Sequence, residues 1–254
     1  MIFCYALIMT KTLHRFFVDP SSIGDTYATI TDPNQVQQIA KVLRMKVGAS
    51  VILLDNLGNE FDAEIVEISR KKIVFVPGEK RACVGEPEVV IRLFQGLPKQ
   101  PSKFEEVLKH GTELGVAEFH PLLTQNCEAQ ELKKRERMEH ILKEAAEQSE
   151  RGRIPVLGEE VRFGSVLEHG WPPELEADVT LLAYERETST LLSDVIRQLG
   201  SPKTINLIIG PEGGFIEEEI ALARERHFMI FGLGPRILRT ETAGVACVAA
   251  LLLK

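Results

Sequence analysis

Two short polar loops near the carboxyl end of the chain hold the residue types that ligand chemistry requires. The first reads GPEGG at residues 210–214, and the second, at residues 233–243, contains two arginines, two threonines and one glutamate. An arginine can stabilise developing negative charge, a carboxylate can accept a proton, and glycines let a ligand approach the backbone closely. Taken alone, the glycine loop is equally typical of a strand-to-helix turn. Its polar neighbour favours a ligand site.

The elements around these loops predict how the loops come together. Each loop follows a short apolar run that reads as a strand, and each leads into a helical pattern. Further strands are predicted at residues 89–94 and 179–183, and helices at 103–114, 133–148 and 245–253. Alternating strands and helices predict an α/β domain with a mostly parallel sheet, whose strands bring both loops to one edge.

The first third of the chain follows a different pattern. Residues 51–76 read as short strands separated by tight turns, which is typical of a small β-barrel. A run rich in glycine, proline and charge at residues 78–88 predicts a linker, so we divide the chain into a barrel at 1–81 and an α/β domain at 82–254. Residues 1–9 are apolar, but they lack the features of a signal peptide and are too short to span a membrane. We interpret them as a disordered extension, with a biological start at Met9 as the alternative.

Composition and motifs exclude several classes of protein. The net charge is −7; residues 1–81 hold ten Lys and Arg against nine Asp and Glu, which leaves 20 against 28 in the remainder. Such an acidic chain is a poor candidate for indiscriminate nucleic-acid binding. Its four cysteines have no paired-ligand spacing, which predicts a cytoplasmic protein with neither disulfides nor a metal site. The P-loop is absent and the dinucleotide fingerprint lacks its third glycine, which excludes those nucleotide-binding enzymes.

Several motifs in a fixed order carry a resemblance that covers the chain from about residue 12 to its end. They are IGPEGGF at 209–215, LGPRILRTETA at 233–243, TELGV at 112–116, EAAEQS at 144–149 with Arg151 and Pro155, HRFF at 14–17 and VLRM at 42–45. Together they resemble the bacterial 16S ribosomal RNA uracil-N3 methyltransferases. That resemblance implies a PUA-like RNA-binding β-barrel followed by a SPOUT methyltransferase domain with a carboxy-terminal deep trefoil knot.

The resemblance also implies a cofactor, partners and a target. The cofactor is S-adenosylmethionine (SAM), and the substrate is 16S ribosomal RNA, either naked or in the assembled small subunit, with uridine 1498 as the methylated nucleotide. The protein is expected to be a homodimer with no membrane association. Two rival interpretations remain: an RNA-binding protein that keeps the fold without the chemistry, and a SPOUT methyltransferase that acts on transfer RNA or on a ribose 2′-oxygen.

Arg239 and Glu241 are the predicted catalytic residues. Uracil N3 carries a proton at neutral pH, so an arginine can stabilise the charge that spreads to O2 and O4 while a carboxylate accepts the proton. Arg239 could instead form a structural ion pair with Glu212 or Glu241, and Arg236 could hold an RNA phosphate. The predicted cofactor-binding residues are Ala183, Ile209, Gly210, Pro211, Glu212, Gly213, Gly214, Leu233, Gly234, Arg236, Ile237, Leu238, Thr240, Thr242 and Ala243.

Basic residues of the barrel are the candidates for RNA contact, although each could equally belong to a solvated surface. The neighbouring Phe16 and Phe17 are typical of a core. In the resemblance, Arg151 lies near the site, whereas its position at the end of a helical pattern favours a buried structural network. The predicted RNA-binding residues are Arg15, Lys41, Arg44, Lys46, Lys71 and Lys72.

Overall fold

The computed structural model describes residues 13–253. The chain divides into two compact units, an N-terminal unit that ends at Val84 and a C-terminal unit that begins at Gly85. The predicted extension at residues 1–9 lies outside the described residues.

The N-terminal unit is a five-stranded sheet with the strand order β1-β3-β4-β5-β2. The β1–β3 pair is parallel and the other pairs are antiparallel. Both edge strands contribute to one core, since Phe16 and Ile30 pack in the same cluster as Leu53 and Ile65, and Phe17 is also buried. The two phenylalanines are therefore core residues. The elements are β1 (Arg15–Phe17), β2 (Ala28–Ile30), α1 (Pro33–Gln37), β3 (Ser50–Leu54), β4 (Asn59–Ile68) and β5 (Ile73–Ala82).

Strand β5 occupies half of the predicted linker. Its last residues pair with the start of β4, where Asn59 lies opposite Ala82. Arg81 binds both Glu60, at 3.0 Å, and Asp62 across the pair. Cross-strand ion pairs of this kind stabilise a polar pair of strands that hydrophobic patterning cannot reveal. The prediction of a linker from residue 78 is wrong for residues 78–82.

The C-terminal unit is an α/β structure built on a parallel sheet with the order β12-β10-β11-β6-β7-β8, and β9 also pairs with β7. Alternate residues of the central strands face two separate cores, because Leu93 and Leu207 belong to one cluster while Phe94 and Ile208 belong to the other. The elements are β6 (Val90–Gly96), α2 (Pro101–Leu114), β7 (Glu118–Leu123), α3 (Arg135–Gln148), β8 (Val156–Leu157), β9 (Val161–Arg162), α4 (Phe163–His169), β10 (Val179–Ala183), α5 (Leu192–Gln198), β11 (Thr204–Ile209), α6 (Glu217–Glu225), β12 (Met229–Phe231) and α7 (Thr240–Leu252).

Helix α7 begins at Thr240, five residues earlier than its apolar pattern predicts. Arg239 precedes it in an extended conformation, and the Ala243 amide donates to the Arg239 carbonyl at 2.8 Å. Glu241 lies in the first turn, where a carboxylate interacts favourably with the helix dipole. The end of the predicted polar loop is therefore the start of a helix.

The terminal helix packs against α2 and against strands β6 and β11 in the middle of the sheet. Those contacts are consistent with a chain end that passes back through the domain, and the deep trefoil knot itself stays a prediction. Between residues 13 and 253, no helix combines the length and the apolar character that a membrane crossing needs.

Candidate active site

A cavity of about 760 Å³ opens where strands β10 and β11 end, between the two predicted loops. Its volume lies within the usual range for small-molecule sites. Every predicted cofactor-binding residue lines it except Thr242, which is exposed on the first turn of α7. The cavity is also lined by five residues outside that predicted set: Gln100, Lys103, Tyr184, Glu185 and Arg239.

The glycines serve this cavity in two ways. A Cβ atom on Gly213 would lie 2.9 Å from the Asn126 Cβ atom, so this glycine lets the loop pack against its neighbour. The Asn126 amide then donates to the Gly213 carbonyl at 2.9 Å. Gly234 has a φ of +94° and open space within 4 Å of the Cβ position. Its backbone is therefore accessible to a flat ligand, with Leu233 and Ile209 as apolar neighbours in the lining.

An ion pair fixes one side of the cavity. The Lys103 Nζ atom lies 2.9 Å from Glu212 Oε1, which joins α2 to the glycine loop. Burial raises the pKa of Glu212, but hydrogen bonds from Lys103 and from backbone amides together outweigh it, so the pKa is lowered. The same hydrogen bond raises the pKa of Lys103, whereas the charge of Arg239 lowers it. Both groups of the pair therefore stay charged at neutral pH.

Arg239 has no ion-pair partner among residues 13–253 and is exposed in the lining of the cavity. Glu212, one of the two partners considered for it, is bound by Lys103 instead. The Glu241 carboxylate does not line the cavity, and its buried Oε2 atom has no hydrogen-bond partner in the described part of the chain. Glu185 does line the cavity, with its carboxylate 2.7 Å from the Cβ position of Gly214.

Comparisons with known proteins identify the family. A family model for an RNA methyltransferase domain matches residues 85–252, and one for an RNA methyltransferase PUA domain matches residues 30–78. The chain belongs to the RNA methyltransferase family. Among its relatives is the ribosomal RNA small subunit methyltransferase E of Synechocystis sp., 34% identical over 94% of this chain and 77% of that protein. The protein of the same name from Bacillus subtilis is 31% identical over 94% of this chain and 96% of that protein.

Solved structures of similar methyltransferases share the fold. The chain is similar to a ribosomal RNA small subunit methyltransferase E from Neisseria gonorrhoeae bound to S-adenosyl methionine, with a TM-score of 0.82 and 26% identity over 94% of this chain and 96% of that one. A putative methyltransferase from Legionella pneumophila, solved with bound SAM, has a TM-score of 0.82 and 28% identity over the same shares. These similarities confirm the predicted PUA-like domain and SPOUT-type α/β domain.

Arg151 of this RNA methyltransferase has structural surroundings, as its position at a helix end predicts. Arg151 is 3% exposed and pairs with Glu86 at 2.7 Å, while it also donates to the Val116 carbonyl at 2.6 Å. Glu86 accepts further hydrogen bonds from the backbone amides of residues 152 and 153. The segment after α3 is therefore held by a buried hydrogen-bond network. Glu86 is the partner of Arg151 that the sequence did not reveal.

The six predicted RNA-binding residues of the PUA-like domain fall into two groups. The Arg15 guanidinium is largely buried and lies 2.6 Å from Glu60, and Lys72 pairs with Glu67 at 3.3 Å. The others are exposed and make no ion pair with any residue that the structure describes: Lys41, Arg44, Lys46 and Lys71. The second group can contact phosphate without breaking an existing pair.

Proposed function

We propose that this RNA methyltransferase uses SAM to methylate N3 of a uracil in 16S ribosomal RNA of the small subunit. The observation that carries the proposal is Arg239, which makes no ion pair among residues 13–253 and lies beside two glycine-containing loops at the carboxyl edge of a parallel sheet. Relatives named ribosomal RNA small subunit methyltransferase E support the substrate class.

The cavity fits SAM in size and in chemistry. Gly234 leaves open space at its backbone, and apolar residues such as Ile209, Leu233 and Leu238 can cover the faces of an adenine ring. The carboxylate of Glu185, which lines the cavity, suits a cationic ligand. When bound, SAM supplies an electrophilic methyl group on a sulfonium, which needs neither a metal nor a covalent enzyme intermediate.

Arg239 is proposed to stabilise the negative charge on uracil O2 and O4 as the N3 proton leaves. Its guanidinium has no competing carboxylate partner within residues 13–253, so it is available to a substrate anion. Preorganised cations that meet charge developing in the transition state are among the strongest catalytic contributions. Arg236, also exposed in the lining, is proposed to hold an RNA phosphate.

Two carboxylates are candidates for the proton acceptor. Glu241 is the candidate from the sequence, and Glu185 is favoured by geometry because it lines the cavity and is exposed. Replacing the true acceptor with Gln should slow methyl transfer, and rising pH should relieve part of the loss because uracil then deprotonates unaided. A deficit that stays constant with pH assigns that carboxylate to structure.

The exposed cations Lys41, Arg44, Lys46 and Lys71 of the PUA-like domain are proposed to contact RNA phosphates. The remaining proposals come from the resemblance: a homodimer that works in the cytoplasm, with uridine 1498 as the target. Light scattering on the purified protein measures the dimer directly.

The deciding experiment is mass spectrometry of small-subunit RNA from cells with and without the protein. Loss of one 3-methyluridine, restored by the wild-type protein but not by Arg239→Ala, supports the proposal. A lost ribose 2′-O-methyl group, or a modified transfer RNA, identifies a different acceptor. Unchanged RNA modification, together with retained RNA binding, favours the non-catalytic rival. Purified 16S RNA and assembled subunits, supplied in parallel with labelled SAM, distinguish the two forms of substrate.

A further inference from the structure

Three groups from distant parts of the chain form a buried hydrogen-bond relay beside the cavity. The Gln95 side chain, at the end of β6, donates from Nε2 to the Thr240 hydroxyl at 2.7 Å. That hydroxyl lies 2.5 Å from the Gly210 carbonyl oxygen. Gln95 is fully buried and Thr240 is 7% exposed, so water does not compete for these bonds.

The direction of the two hydrogen bonds in the relay follows from the protons that each group can donate. A hydroxyl has one proton, and because Thr240 accepts from the Gln95 amide, its own proton is donated to the Gly210 carbonyl. Turning the amide over would place its oxygen against Thr240, and the hydroxyl proton would then satisfy Gln95 instead of Gly210. The relay therefore depends on the amide nitrogen.

Tight packing places the glycine loop directly against the end of β6. A Cβ atom on Gly96 would lie 2.2 Å from the Pro211 nitrogen, so the end of β6 runs directly against the Gly210–Pro211 peptide. Pro211 has no N–H, which leaves the Gly210 carbonyl as the polar group of that peptide. On the other side of Gln95, its Oε1 atom lies 2.8 Å from the Cβ position of Gly244 in α7. Gln95 is held between the helix and the loop.

We propose that Gln95 is a positioning residue for the cofactor site. Through Thr240 it fixes the Gly210 carbonyl, and with it the loop at residues 210–214 that lines the cavity, although Gln95 itself does not line the cavity. The Thr240 hydroxyl consequently serves the loop and not the ligand. This inference rests on the proposed function, because it assigns SAM to the cavity.

The test compares Gln95→Met with a matched control in the neighbouring strand. Asn206 of β11 is also a fully buried amide. Its Nδ2 atom donates a hydrogen bond to the Leu175 carbonyl at 2.7 Å, and its oxygen has no partner among the residues that the structure describes. Leu175 does not line the cavity. We expect Gln95→Met and Asn206→Leu to lower stability against urea to a similar degree. Only Gln95→Met should weaken SAM binding, by about tenfold in calorimetric titration, as loss of a buried hydrogen bond implies.

A second pair of variants tests the hydroxyl and remains decisive if Gln95→Met fails to fold. Thr240→Val keeps the shape but removes the proton, whereas Thr240→Ser keeps the proton. Thr240→Val should bind SAM about tenfold more weakly, and Thr240→Ser should bind like wild type. In a folded double variant, the losses of SAM affinity caused by Gln95→Met and Thr240→Val should be less than additive, because both substitutions break the same relay.

Distinct outcomes separate this inference from the proposed function. If the wild-type protein itself does not bind SAM, the proposed function fails. If wild type binds SAM and Gln95→Met binds equally well, or if Asn206→Leu loses as much affinity as Gln95→Met, the positioning role is wrong. Equal SAM affinity in Thr240→Val and wild type also overturns it.

Discussion

Arg151 and Arg239 lie in the same unit and both belong to motifs that carry the family resemblance, yet their surroundings are opposite. The Arg151 guanidinium is 3% exposed and is bound by Glu86 and by two backbone carbonyls. Arg239 is exposed at a cavity and has no ion pair with any residue that the structure describes.

The difference follows from the cost of burying charge. A guanidinium that leaves water must recover its solvation from fixed partners, so a buried arginine with all its donors engaged has no capacity left for a substrate. An arginine that lines a cavity without a carboxylate partner retains that capacity. Motif membership alone therefore does not separate structural from catalytic residues, whereas the state of their hydrogen bonds does.

The largest effect on folding is expected for the buried arginine. Arg151→Met leaves the Glu86 carboxylate without its cation in a partly buried site, and the free energy of unfolding should fall by about 3–5 kcal/mol. Urea denaturation measures this loss. Exchanging Glu86 for Leu in the same protein should recover part of it, because no charge is then left unpaired. A change below about 1 kcal/mol in Arg151→Met would contradict the structural role.

Two glutamates in the loop after β10 offer the same comparison between a charge bound by partners and a charge exposed at the cavity. Glu187 accepts hydrogen bonds from the Ser189 hydroxyl and from Arg224, which lower its pKa from 4.5 to about 2, whereas Glu185 lines the cavity. Because the folded pKa is depressed, the Glu187 charge stabilises the fold above pH 4.5. That contribution is lost as the pH falls towards 2. The difference between the ordinary pKa of 4.5 and the folded pKa of about 2 corresponds to roughly 3 kcal/mol in the free energy of unfolding.

Denaturation of wild type and Glu187→Gln across this pH range tests the assignment. Wild type should be more stable at neutral pH by up to roughly 3 kcal/mol, and the two stabilities should converge as the pH falls below 4.5. Parallel curves for wild type and Glu187→Gln would show that its charge does not stabilise the fold.

Arg239→Ala should reverse the pattern of Arg151→Met, with a loss of rate and little loss of stability. Removal of a well-placed charge stabiliser typically costs on the order of a hundredfold in rate, about 2.7 kcal/mol. Single-turnover methylation at saturating SAM and RNA isolates this step. Arg186→Ala is the control, because Arg186 is 71% exposed, pairs with Glu217 and does not line the cavity. A rate near wild type for Arg239→Ala, or an equal loss of SAM affinity, would assign Arg239 to loop structure.

The parts of this site that follow local patterns are predictable from the sequence. The apolar runs before both loops form β11 and β12, and the periodic face of residues 133–148 forms the buried side of α3. Strand β7 does not follow such a pattern, because His120 and Pro121 interrupt its apolar residues. Helix α7 begins five residues before the predicted start, because polar residues that favour a first turn also favour a loop.

Pairings between distant residues are the part that sequence patterns cannot supply. Gln95 and Thr240 are 145 positions apart, Lys103 and Glu212 are 109 apart, and Arg151 and Glu86 are 65 apart. Each pair exists because the parallel sheet brings its elements together, and no local spacing encodes it. The distinction between Arg151 and Arg239 therefore depends on tertiary structure.

The smallest effect is expected in the PUA-like domain, where Arg15 is paired with Glu60 and the exposed cations make no ion pair with the described residues. Reversing Lys41 and Arg44 to Glu removes two cations that make no ion pair among residues 13–253, so RNA binding should weaken and its dependence on salt should flatten. Each lost contact with single-stranded RNA lowers the slope of log K against log salt by about 0.7. Titration of a 16S RNA fragment at several KCl concentrations measures that slope, and SAM affinity should not change.

Arg15→Gln is the matched control: its ion pair with Glu60 predicts lower stability with an unchanged slope. If Arg15→Gln flattens the slope and the double reversal does not, the RNA-contacting surface lies on the Arg15 side of this domain.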